Sequence, residues 1–147
     1  MRRYFDTSFL VAALIREAGT AAAKTYLIGC GDEPWLISRW VTTEFSSALA
    51  IKVRTAMITT SEQTAALTMF RRFSTLRLDV VNVESADFDV AAEMSDHSGV
   101  ALRSGDALHL AVCRRLGTRL ATFDAGLAAA ANHHGGTTDF LTAPQER

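Results

Sequence analysis

Cysteine is scarce in this 147-residue chain: Cys30 and Cys113 stand far apart, with no Cys-x-x-Cys spacing and no histidines at zinc-finger intervals. A free, buried thiol is the preferred reading over a disulfide, above all for Cys113 inside the apolar run ALHLAVC. Net charge is nearly absent as well, at −1. A protein that grips duplex DNA through phosphate neutralisation is usually basic. Any nucleic-acid partner must be held by a local patch, or through metal ions that supply the positive charge. Long hydrophobic runs are missing too, and no segment reaches the ~18 apolar residues of a membrane span. MRR followed by FLVAALI superficially resembles a secretory leader, but Asp6 interrupts it, and Arg16 and Glu17 close it without a clean cleavage site. A cytoplasmic protein is expected. No linker-like tract, low-complexity block or internal repeat divides the chain, so one domain over 1–147 is expected.

Apolar residues make up 48% and charged residues 21%, enough for a packed core. Short β-like runs alternate with helical ones. Strands are predicted over Arg3–Phe5, Trp35–Ser38, Leu78–Val83 and Arg119–Phe123. Helices are predicted after a cap at Thr7 or Ser8, over Thr20–Ile28, around Val41, Phe45 and Leu49, and from Ser61 with a stripe of Ala65, Leu67, Met69, Phe70 and Phe73. Further helices are predicted over Ala86–Ser98, Ser104–Leu116 and Leu127–His133. Strands alternating with helices imply a parallel sheet covered on both faces. Ligands gather beyond the carboxyl ends of such strands.

Four carboxylates fall near those ends. Asp6 follows the first strand in YFDTSFLVAAL, and Asp124 follows a later one in LATFDAGL. Glu44 lies in the first turns of a helix, at the border of its inward face, and Asp106 opens a helix that is apolar nearly all round. Singly, Asp6 and Asp124 could be N-caps or turn residues, Asp106 could serve its helix dipole, and Glu44 could be solvated. Four acids at one edge, however, repel unless a cation binds them. Oxygen-only donors suit Mg²⁺ or Mn²⁺ rather than zinc.

DTSFLVAAL, TEF, SGDALHLAV and TFDAGL occur in the order found in PIN domains. Each motif alone is weak, but the ordered set is specific, and the chain resembles VapC toxins of bacterial toxin–antitoxin pairs from Tyr4 to about Leu127. The resemblance implies a PIN-like three-layer α/β/α domain with a short, mostly parallel central sheet. It also implies homodimerisation, a VapB-like antitoxin partner and cleavage of RNA to a 5′-phosphate and a 3′-hydroxyl. The family's acidic positions map onto Asp6, Glu44, Asp106 and Asp124, and Ser8 matches a small polar residue often found near the metal. Asp6, Asp106 and Asp124 are the first choice as direct or water-bridged Mg²⁺ or Mn²⁺ ligands, with Glu44 holding a water or a second ion. Two departures stand out: Arg2 and Arg3 replace the usual apolar residues, and the tail after His133 lacks a convincing last strand.

Other polar residues invite blander readings. His109 is expected to be packed and hydrogen-bonded rather than catalytic, and His133 and His134 to form a solvated helix end. Asp87, Asp89, Glu93 and Asp96 read as one acidic helix face. Arg71, Arg72 and Arg77 could meet RNA or an acidic antitoxin segment, with a solvated face the default. Trp35, Trp40, Met57 and Met69 read as core or dimer contacts. Two other classes compete. A receiver-like signalling module needs an adjacent acidic pair and a late lysine, whereas Asp6 has no acidic neighbour and Lys52 is the last lysine. A housekeeping RNA-processing nuclease shares the fold, which does not decide the biology.

Overall fold

The computed structural model describes residues 1–145. Among them five strands form one sheet: β1 (Arg3–Phe5), β2 (Trp35–Ser38), β3 (Leu78–Val81), β4 (Arg119–Thr122) and β5 (Thr137–Phe140). The spatial order is β3-β2-β1-β4-β5, and every neighbouring pair is parallel. Seven helices connect them: α1 (Thr7–Leu14), α2 (Thr20–Gly29), α3 (Arg39–Arg54), α4 (Thr60–Arg77), α5 (Ser85–Ser95), α6 (Ser104–Leu116) and α7 (Ala125–His133). The chain runs outward from β1 to β3 and then returns to β4 on the far side of β1. Right-handed crossovers therefore put α1–α4 on one face and α5–α7 on the other. Consistently, α1 packs on α2, α3 and α4, while α5 packs on α6. This is the anticipated α/β/α arrangement, with its topological switch point between β1 and β4.

Local chemistry explains the elements. Val41, Phe45 and Leu49 recur every fourth residue along α3 and are buried, and Lys52 and Arg54 stand in its last turn, where the helix dipole favours cations. Phe45 stacks on Phe70 of α4 at 4.5 Å, and Phe5 of β1 stacks on Phe9 of α1 at 4.3 Å. Gly117 ends α6 with φ 61°, a left-handed turn that a side chain would strain. Both cysteines are free and buried. No helix among the described residues is long and apolar enough to cross a membrane.

Several expectations need correction. The cap of α1 is Asp6, which accepts from the Phe9 amide, and not Thr7 or Ser8. The N-terminus of α4 is a Thr59–Glu62 capping box, and its buried residues are Ala66 and Phe70, so Ala65 and Met69 face outward. Of the residues read as core or dimer contacts, Met57 and Met69 are exposed and so are not core, whereas Trp35 is core as expected and carries the Arg77 guanidinium 4.4 Å above its ring. The tail does form a last strand: β5 pairs with β4, beginning at Arg119 opposite Thr137. Its TTDF sequence is that of a half-exposed edge, tied down by Arg119 and Tyr26 on Asp139. Asp87 leaves the solvated acidic face. It is 2% exposed and receives a two-pronged bond from Arg115, at 2.9 Å to each oxygen.

Candidate active site

The carboxyl ends of β1 and β4 are adjacent, which brings the residues that follow them together. Asp6 follows β1 directly and is 4% exposed. Its Oδ1 accepts from the Phe9 amide at 3.0 Å and from Ser8 Oγ at 2.8 Å, and its Oδ2 accepts from Thr122 Oγ1 at 2.7 Å. Burial is the largest influence and raises the Asp6 carboxyl above its ordinary range, against the opposing pull of His109 and these donors. Ser8 is shared, because its Oγ also accepts from the Phe123 amide at 3.0 Å.

Asp124 lies two residues past the end of β4 and caps α7, its Oδ1 accepting from the Leu127 amide at 2.9 Å. The modest N-cap reading of Asp6 and Asp124 is therefore true of both, and it occupies one oxygen of each. Thr122 links the pair, since its Oγ1 donates to Asp6 and accepts from the Asp124 amide at 3.0 Å.

Asp106 sits in the first turn of α6, where the helix N-terminus favours an acid. Arg103, just before α6, spans Asp106 and Asp124: its Nε is 3.3 Å from Asp106 Oδ2 and its Nη2 2.9 Å from Asp124 Oδ2. Burial raises the Asp106 carboxyl, Arg103 pulls it down, and the charge of Asp124 pushes it up again. Glu44, half-buried on α3, accepts from Thr7 Oγ1 at 2.8 Å and meets His109 Nε2 at 2.5 Å. Burial pushes the Glu44 carboxyl up, but the bonds from His109 and Thr7 and the charge of Arg103 outweigh it, so it lies below the usual range. Gly105 lets α6 approach α3 closely: a Cβ there would stand 3.3 Å from the Trp40 ring and 3.4 Å from Glu44 Oε2.

The four acids thus lie along one edge, and Asp6, Thr122, Asp124, Arg103 and Asp106 are joined in one hydrogen-bonded series. As the side chains stand, no three His, Cys, Asp or Glu among the described residues are set to hold a metal ion. A guanidinium that is 79% exposed instead stands as the cation between two of the carboxylates. An all-oxygen donor set with a positive charge already drawn into it fits a hard divalent cation.

Arg103 and Thr122 escaped the sequence reading, and Thr7, read there as a cap, instead holds Glu44. Arg103 carried the one usable signal, a lone basic residue three positions before Asp106. His109 is packed and hydrogen-bonded as expected, and its partners are Tyr4 and Glu44. His133 is exposed, while His134 is half-buried.

A parallel sheet with acids at its switch point defines the class, an α/β/α domain, and the chain belongs to the PIN domain family, whose model matches residues 3–133. No curated protein matches the sequence. Among solved structures the fold is similar to that of VapC20 from Mycobacterium tuberculosis, described as a sarcin-ricin loop cleaving toxin. The identity is 22% and the TM-score 0.69, over 87% of this chain and 94% of that one. FitAcB from Neisseria gonorrhoeae is similar at 14% identity and TM-score 0.69, over 95% and 96%. VapBC2 from Rickettsia felis, described as bound to a DNA fragment from its promoter, matches at 14% and TM-score 0.67, over 96% and 99%. At such identities the likeness is one of fold.

Proposed function

We propose that this protein is a Mg²⁺- or Mn²⁺-dependent endoribonuclease, the toxin of a VapBC-like pair. The observation that carries the reading is the joining of Asp6, Asp106 and Asp124 through Thr122 and Arg103 at the switch point, with Glu44 beside them. Asp6, Asp106 and Asp124 would hold the ion, and Glu44 would hold a water or a second ion. A divalent ion there supplies positive charge to the phosphoryl oxygens and acidifies a water. The protein's part is to keep its oxygens in place. Ser8, Thr122 and the Phe9 amide immobilise Asp6, and the start of α7 immobilises Asp124. Arg103 must leave two carboxylates for an ion to use both, and its exposed guanidinium can then meet an RNA phosphate. A VapB-like antitoxin and a second copy of the chain are the partners this reading implies; complexes of such pairs are among the solved structures of the same fold.

Purified parent and Asp6→Asn, incubated with RNA and Mg²⁺ or Mn²⁺, test the reading. The parent should cleave, and Asp6→Asn, Asp106→Asn and Asp124→Asn should not; Glu44→Gln should lose activity less completely. Equal rates for parent and Asp6→Asn would falsify the assignment. Expression should arrest growth unless an antitoxin is co-expressed, and normal growth with abundant active protein counts against the toxin part alone.

A further inference from the structure

A buried polar chain runs from the end of β2 to Glu44 and is not needed by any step above. Ser38 Oγ lies 2.8 Å from Tyr4 Oη, Tyr4 Oη lies 2.7 Å from His109 Nδ1, and His109 Nε2 lies 2.5 Å from Glu44 Oε1. Ser38 and Tyr4 are fully buried and His109 is 1% exposed. A buried polar group left without a partner destabilises the fold, and here each one has its partner. Its direction follows from chemistry. An ionised carboxylate only accepts, so His109 Nε2 must carry a proton and donate to Glu44. The other ring nitrogen, Nδ1, is braced by the Tyr4 hydroxyl, which is itself held by Ser38. Thr7 donates to the same Oε1 of Glu44 at 2.8 Å. Both bonds converge on Oε1, and Oε2 is left on the side of Gly105, where even a Cβ would stand 3.4 Å away.

We propose that His109, fixed by Tyr4 and Ser38, is a positioning residue: it commits Oε1 of Glu44 to the protein and presents Oε2 to the cleft. The strut itself is independent of what the cleft does; its use, holding Oε2 toward a divalent ion or a water, rests on the nuclease reading. One helix thus serves two carboxylates. Asp106 is its own, and His109, one turn later on α6, steers the carboxylate that α3 contributes.

The first test needs neither metal nor RNA. In the ¹⁵N-labelled, metal-free protein, His109 should show a protected Nε2 proton, far downfield, which Glu44→Ala removes. A ring protonated only at Nδ1 overturns the strut. The second test reads Mn²⁺ affinity by electron paramagnetic resonance alongside RNA cleavage. A folded His109→Leu should bind Mn²⁺ roughly 10-fold more weakly and lose kcat more than it raises KM. His109→Gln, whose amide can still donate, should recover part of both. Tyr4→Phe keeps the ring volume and removes only the brace on Nδ1, so it decides the matter if His109→Leu does not fold; a smaller loss of the same kind is expected. Parental Mn²⁺ affinity and kcat in either folded variant overturn the positioning role. A parent that carries the protected proton yet neither binds Mn²⁺ nor cleaves RNA overturns the nuclease reading alone and upholds the strut.

Discussion

Asp6 caps a helix, anchors Ser8 and Thr122, and remains a nearly buried charge. Those duties pull its stability contribution in two directions. The cap and the hydroxyl donors stabilise its ionised form, but burial dominates and raises the carboxyl. The folded protein therefore binds this proton at a higher pH than the unfolded chain. Between the ordinary carboxylate range and the raised value the folded state holds more protons, so stability falls as pH rises through that window. Asp106 is shifted the same way, with burial again the largest cause. Asp6→Asn keeps a capping oxygen and removes the charge. Without metal, its melting temperature should equal or exceed that of the parent at pH 7, and its decline as pH rises above the ordinary carboxylate range should be shallower. Parallel melts in EDTA check this; a mutant that melts well below the parent at pH 7 would show that the ionised form is the stabilising one.

The contact between α5 and α6, an apolar packing of Ala91 on Ala107 and Ala111, carries an ion pair of a different kind at its edge. Burial pushes Asp87 up, but the Arg115 guanidinium and the Glu84 backbone outweigh it and hold the carboxyl below its usual range. Arg115 also donates to Asn82 O at 2.9 Å, joining the end of β3 to both helices. A depressed acid adds stability above its unfolded value and loses it as pH falls through the folded one, so this pair weakens only in strong acid. Asp87→Ala removes the two-pronged acceptor, leaves Arg115 only Asn82 O and the more distant Glu84, and should cost about 1–3 kcal/mol. Urea denaturation should find Arg115→Ala similar and the double variant less costly than the sum. Simple additivity would mean that the two side chains do not act as a pair. The sequence concealed this bond because Asp87 sits among Asp89 and Glu93, which are exposed and solvated. It concealed β5 for a related reason: an edge strand with burial on neither face has no apolar alternation to display. β1, β2 and α6 were legible to the residue, since each is apolar and bounded by turn residues or caps.

At the scale of the molecule, the four acids were legible one by one through motif order, but the groups between them were not. Thr122 meets Asp6 across 116 positions, and Arg103 meets Asp124 across 21, pairings that only the strand order creates. That order also makes the cluster a feature of the folded state alone. On the proposed reading a divalent ion would bind the assembled edge and not the scattered acids of the unfolded chain, so it should stabilise by about 2.7 kcal/mol at a hundredfold excess over Kd. The midpoint should rise by roughly 5–10 °C for a domain of this size. Arg103 already supplies a positive charge between Asp106 and Asp124, and an incoming ion must displace it. Arg103→Ala should therefore lower the melting temperature of the metal-free protein slightly and enlarge the Mn²⁺-induced increase, whereas Asp6→Asn should shrink that increase. Acids that serve only as caps and helix-dipole partners give neither change. Thermal melts of the three proteins with EDTA and with millimolar Mn²⁺ decide it; a parental midpoint that Mn²⁺ leaves unmoved would show that these carboxylates do not share an ion.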